Sequence, residues 1–151
     1  MVDSNLLLML VVGITSRDHI ARFKRTRQYT AADFDLLARF IAPYSTILVT
    51  PNIATEVSNL ASYLDGKLRT RCMRTLAALL QAWNEHYVRS AHLASTTPFL
   101  RLGLTDASIQ ELANEADAVL TDDLDLYVAI SKSGHTAFNF NHLRAAEWGH
   151  S

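Results

Sequence analysis

The chain has a single cysteine, a formal net charge of -1 and no long apolar run, and each shortage closes off a class of protein. The lone Cys72 excludes an internal disulfide and a multi-cysteine zinc site, and it points to a reducing compartment. The apolar run Leu6 to Val12 is too short to span a bilayer, and it lacks the basic start and small-residue cleavage site of a signal peptide. A cytoplasmic protein with no membrane association is expected. The near-zero net charge carries no information about nucleic acid, so only the distribution of charge can. His19, His86, His92, His135, His142 and His150 form neither an HExxH pair nor another ligand spacing, which argues against a histidine-based metal site. No aromatic RNP signature is present, so base preference is not readable. No repeat, low-complexity segment or linker divides the chain, and 151 residues suffice for one domain, 1–151, with a sizeable core.

What is present is an alternation of strand and helix patterns. A short first strand ends at Asp3, and the apolar helix after it is expected to stop at Gly13. Ser16 is expected to cap a second helix through Ile20, Ala21 and Phe23, ending in Lys24-Arg25-Thr26-Arg27. Thr30-Ala31-Ala32-Asp33 is a capping box with Asp in place of Glu, opening a helix with Phe34, Leu37, Ala38 and Ile41 on one face. Thr46 to Thr50 is β-branched and apolar, a second strand. Thr50-Pro51 supplies an N-cap and a proline at the first helical position, and the stripe that follows is Ile53, Val57, Leu60 and Leu64. Lys67 to about Ala91 reads as the longest helix, with Trp83 and Tyr87 on its apolar face. Asp106, preceded by Thr105, opens a helix carrying Ile109, Leu112, Ala113 and Ala116 inward. Ala118-Val119-Leu120 reads as a buried parallel strand, Thr136 to Phe140 as a last strand, and Asn141 as the cap of a terminal helix. Strands alternating with helices predict an α/β fold with a mostly parallel sheet covered on both faces.

In an open α/β sheet the carboxyl ends of the strands face the ligand. Asp3 stands at the first such end, Glu56 on the helix after the second, and Asp122, Asp123 and Asp125 directly after the third, while Asp106 arrives from the helix leading into that strand. Carboxylates crowded at one edge repel one another unless a cation or protons intervene. The plain reading is a divalent-metal site.

At these residues the chain resembles the PIN-domain ribonucleases, which include the VapC-type toxins. Asp3-Ser4-Asn5 followed by Leu6-Leu7 is similar to the family's Asp-Ser/Thr-Asn/Ser turn. Glu56 in Pro51-Asn52-Ile53-Ala54-Thr55-Glu56-Val57 matches the family's helical Glu, and Thr105-Asp106-Ala107 its Asp-Ala pair. Thr121-Asp122-Asp123-Leu124-Asp125, with Tyr127 near the aromatic position, is similar to its Thr-x-Asp motif. Each motif alone is weak, but the ordered set spans nearly the whole chain. Two features depart from the pattern: only Met1 and Val2 precede Asp3, and the segment from Arg17 to Pro43 is long and has no family role.

The resemblance implies a three-layer α/β/α sandwich with a short, mostly parallel sheet, and a metal-dependent endoribonuclease, which extends to the toxin of a toxin–antitoxin pair. It implies Asp3, Glu56, Asp106 and Asp123 as catalytic acids, with Asp3, Asp106 and Asp123 binding metal. Asp122 or Asp125 could take the place of Asp123. Asn5 and Thr121 would hold the carboxylates in place. Oxygen-only ligands select Mg²⁺ or Mn²⁺. The RNA phosphates would be met by Lys24, Arg25, Arg27, Arg69, Arg71 and Arg74. The implied partners are RNA, a cognate antitoxin and a second copy of the chain. The competing readings are a PIN-like nuclease acting on DNA or structured ends, and a catalytically silent PIN-like binding module.

Overall fold

Local caps define most element boundaries in the computed structural model, which describes residues 1–149 and leaves His150 and Ser151 outside. Helix α1 (Ser4–Thr15) begins where the Asp3 carboxylate accepts the Leu6 N–H. Its residues Leu6 to Val12 are all buried, as befits a helix that is apolar all round and runs through the core. Gly13 does not stop it. The helix continues to Thr15, and a Cβ added at Gly13 would stand 2.2 Å from the Phe34 ring. Glycine is there because α1 and the next helix touch at that point. Gly13→Ala is therefore expected to destabilise the protein by about 1–3 kcal/mol in chemical denaturation, and Phe34→Leu to recover part of the loss. A neutral Gly13→Ala would show that the contact has room to relax.

The helix expected after Ser16 does not form. A single 3-10 turn, Arg17–His19, leads into a chain of turns up to Tyr29. The Thr26 hydroxyl donates to the Ile20 carbonyl at 2.7 Å, and Ile20, Phe23 and Tyr29 are buried as separate anchors. A side chain that takes a backbone carbonyl in this way competes with helix formation.

Helix α2 (Ala31–Ile41) has the expected capping box: Thr30 N–H donates to Asp33, and Asp33 N–H donates to the Thr30 hydroxyl. Asp33, fully buried, also receives the guanidinium of Arg144 from the C-terminal helix at 2.8 Å. Strand β1 (Leu48–Val49) leads into α3 (Pro51–Ala61), whose first turn is capped by the Thr50 hydroxyl. Helix α4 (Gly66–Ala82) ends well before the expected Ala91. Asn84 N–H donates to the Ile47 carbonyl at 3.0 Å and His86 N–H to the Val49 carbonyl at 2.9 Å, which makes a strand β2 (Asn84–Glu85). Pairing with β1 outweighs local helix propensity there. The remaining elements are α5 (Ser90–Ala94), α6 (Thr97–Glu111), β3 (Val119–Thr121), α7 (Leu124–Lys132), β4 (Ala137–Asn139) and α8 (Phe140–Trp148), the last capped by Asn139 rather than Asn141.

The fold is mixed α/β and mostly helical, and every strand pair is parallel. Instead of the single sheet expected, the strands form two short ladders, β1 with β2 and β3 with β4. Val2 adds an isolated parallel bridge to Leu120 on the free edge of β3. Strands of two or three residues offer few N–H and C=O groups to pair, so helix packing around α1 holds the two ladders in one core.

Candidate active site

The Val2 bridge delivers Asp3 directly to the carboxyl end of β3. Its N–H donates to the Leu120 carbonyl, its Oδ1 accepts the Leu6 N–H, and its Oδ2 accepts the Thr121 hydroxyl at 2.5 Å and the Asp122 N–H at 2.9 Å. Asp3 is only 5 % exposed. Burial, followed by the negative charge of Asp122, pushes its carboxyl up to about 8, while the hydrogen bonds from Thr121, Leu6 and Asp122 pull the other way.

Thr121 is shared. Its fully buried hydroxyl donates to Asp3 and accepts the Asp123 N–H at 2.9 Å, fixing the turn that leaves β3. Asp123 then caps α7 through the Leu126 N–H. Asp122 turns to the other side and accepts a short hydrogen bond from the Tyr29 phenol and a longer one from Gln28. Burial and the charge of Asp122 raise the Tyr29 pKa, so this phenol stays a donor. Asp125 lies exposed in the first turn of α7, and it is not among the charges that act on Asp3 or Asp106.

Asp106 reaches the same place from α6. Gly103 adopts φ +83, a conformation disfavoured for residues with a Cβ, and breaks α6 so that a fresh helical turn starts just before Thr105. The Ser108 and Thr50 hydroxyls, 3.0 Å apart and buried, tie this turn to the start of α3. The Asp106 carboxyl is raised to about 6, first by burial and then by the charges of Asp123, Glu56 and Asp122 in that order. Glu56, exposed on α3, accepts the Ser4 hydroxyl at 3.1 Å. Acids from four separate parts of the chain therefore share one field.

Two residues that steer these acids carried no assignment in the sequence reading. Ser4 holds Glu56, whereas Asn5 is exposed and makes no such contact; Ser4 lies inside the Asp3-Ser4-Asn5 turn, so the motif contained it. Tyr29, on the irregular segment that had no role, gives no local signal, because its partner Asp122 is 93 positions away.

The basic residues divide. Lys24, Arg25 and Arg27 line a cleft of about 400 Å³ together with Asn5 and Gln28, and Gln28 also donates to Asp122. Arg71 instead donates to the Thr15 carbonyl at 2.8 Å, at the C-terminal end of α1. Asp3 sits at the opposite end of this 12-residue helix, roughly 18 Å away at about 1.5 Å per residue. Arg69 and Arg74 lie within a turn of Arg71 on the exposed side of α4.

Among the described residues no group of three His, Cys, Asp or Glu side chains is already arranged to hold an ion. The donor chemistry nevertheless fits Mg²⁺ or Mn²⁺. The crowded groups are all carboxylates, and the Asp106 carboxyl is raised by burial and then by its neighbours' charge, a repulsion that a cation relieves. Magnesium takes one or two carboxylates and fills its remaining positions with water, so a closed cage is not required. No family model, curated protein or solved structure matches the chain, so the reading of this site rests on its own geometry and charge.

Proposed function

We propose that the chain is a divalent-metal-dependent endoribonuclease of the PIN-like kind, with Asp3, Glu56, Asp106 and Asp123 as its acids. The observation that carries the reading is the convergence of acids from separate parts of the chain: Asp3 tied to Thr121 and the Asp122 N–H, Glu56 tied to Ser4, and Asp106 raised first by burial and then by Asp123, Glu56 and Asp122. On the same reading the two ladders are halves of one short parallel sheet with Val2 between them. That Val2, Leu48 and Leu120 line a common cavity supports this.

Asp106, Asp123 and Asp3 would hold Mg²⁺ or Mn²⁺, which when bound supplies charge stabilisation to the phosphodiester. Thr121 and the Asp122 N–H keep the Asp3 carboxylate from turning away from the site. Ser4 orients Glu56, which accepts a proton from the attacking water as the new P–O bond forms and the RNA P–O bond breaks. Lys24, Arg25 and Arg27 hold the flanking phosphates. In the toxin form of this reading, a cognate antitoxin restrains the activity, and growth arrest on expression tracks cleavage.

The direct test is internal cleavage of an end-labelled single-stranded RNA by the purified protein in Mg²⁺ or Mn²⁺, stopped by excess EDTA. Cleavage that EDTA leaves untouched, or none with either metal, would sink the proposal. The salt dependence of binding tests the basic residues separately. Lys24→Ala with Arg27→Ala should flatten the slope of log K against log [salt] by about 0.7 per lost phosphate contact, while Arg71→Ala should leave it unchanged. The reverse pattern would move the RNA path to α4.

A further inference from the structure

We propose that the cleft beside Glu56 binds unpaired bases of single-stranded RNA by stacking them on Tyr63 and Tyr87. This rests on the nuclease reading for its substrate class and adds the part of the RNA that is gripped. The cleft, about 600 Å³, is lined by Arg25, Asn52, Glu56, Asn59, Tyr63 and Tyr87. Asn52, Glu56 and Asn59 fall at i, i+4 and i+7 on α3, one stripe of one helical face, and Tyr63 follows in the turn after the helix. Past Glu56, whose charge acts on Asp106, the stripe runs on to an aromatic ring at its far end.

Tyr63 is 64 % exposed and Tyr87 73 % exposed, among the largest apolar surfaces left open by the described residues. Neither belongs to the core, so folding does not explain their shared place in one cleft. The Arg25 guanidinium carbon lies 4.8 Å from the centre of the Tyr63 ring, a cation–π contact that holds the ring and sets a positive charge beside it. Arg25 also lines the neighbouring cleft with Lys24 and Arg27, so a path for phosphates runs on from the stacking rings. The Asn52 and Asn59 amides can each donate or accept, which suits base edges of any sequence. Exposed aromatics flanked by cations are how single strands are held without strong sequence preference, whereas in a duplex the base faces are already stacked. A protein ligand would also use aromatic and arginine anchors, but continuity with the cleft of Lys24, Arg25 and Arg27 favours a polyanion.

The test uses the full chain carrying Asp106→Asn, so that RNA is bound without being cut. Two fluorescein-labelled oligomers of about 12 nucleotides are compared, an oligouridylate and an abasic strand of equal length and charge. The base-bearing strand should bind about five- to a hundredfold more tightly. Tyr63→Ala and Tyr87→Ala should each remove much of that preference and leave abasic binding unchanged, and the Tyr→Phe variants should retain it. Equal affinity for the two strands, or an equal loss for both on Tyr→Ala, would overturn the proposal. If neither strand binds although Mn²⁺ calorimetry on the unsubstituted protein shows a site, the stacking cleft is wrong and the metal site stands, leaving a protein as the cleft's occupant. If Mn²⁺ also fails to bind, the nuclease reading falls with it.

Discussion

Asp106→Asn is expected to lower the cleavage rate by at least about a hundredfold while RNA binding holds or tightens. The substitution keeps the size and shape of the side chain and removes one charge, so a change in rate reports chemistry rather than packing. Even residues that only support metal ligands typically cost 10- to 100-fold when lost, and a ligand should cost at least as much. Asp106 is an acid on which three other carboxylates act, so its removal also relieves repulsion in the site. Two readouts should therefore move in opposite directions. Single-turnover cleavage should collapse, while the metal-free variant should melt above the unsubstituted protein at neutral pH. Asp125→Asn is the matched control, since Asp125 does not act on Asp106, and it should leave the rate within a few-fold. If Asp106→Asn still cleaves near the original rate, the assignment of the acids is wrong.

The second large effect is expected from metal itself. The Asp3 carboxyl is raised to about 8 and that of Asp106 to about 6, both well above the 3.8 of an unfolded aspartate. A raised folded pKa means that the native state binds protons more tightly than the unfolded chain. The stabilisation this brings is fully present below pH 3.8 and is lost as pH rises through 6 and then 8. The buried N-terminal ammonium opposes this trend: burial lowers it to about 6 from 8.0, so its contribution rises with pH between those values. The two slopes overlap, so the informative quantity is the Tm difference with and without Mg²⁺ at each pH. At pH 8 Asp106 is ionised and Asp3 partly so, their charges add to those of the neighbouring acids in the absence of metal, and Mg²⁺ at about a hundred times its Kd should raise Tm by about 5–10 °C. At pH 5 protons already neutralise part of the cluster, and the gain should be much smaller. An equal gain at both pH values would argue that the ion binds elsewhere.

Some of this architecture was legible because it is local. Thr30 and Asp33 cap each other three residues apart, Thr50 and Pro51 begin α3, and the apolar run after Asp3 makes a buried helix; each depends on neighbours along the chain. The same local reading overran α4, because the pattern through Trp83 and Tyr87 stays helical until β1 supplies hydrogen-bond partners for Asn84 and His86. A helix continued to Ala91 would bury Tyr87, which is instead one of the most exposed rings among the described residues. Gly13 was misread for a related reason. A glycine that ends a helix and one that lets a ring approach look alike until Phe34 is in place.

The sequence alone determined the alternation that makes the chain α/β with parallel pairing, since this follows from residue type and short-range periodicity, and it lists the order of the acids along the chain. Only the tertiary structure decided which of them act together. It tied Thr121 to Asp3 across 118 positions, Ser4 to Glu56 across 52, and Tyr29 to Asp122 across 93. It also gathered Lys24, Arg25 and Arg27 around one cleft with Asn5 and Gln28 and set Arg71 at the far end of α1. Hydrogen bonds and charge act over a few ångströms of space, and along the chain that distance has no fixed spacing to read.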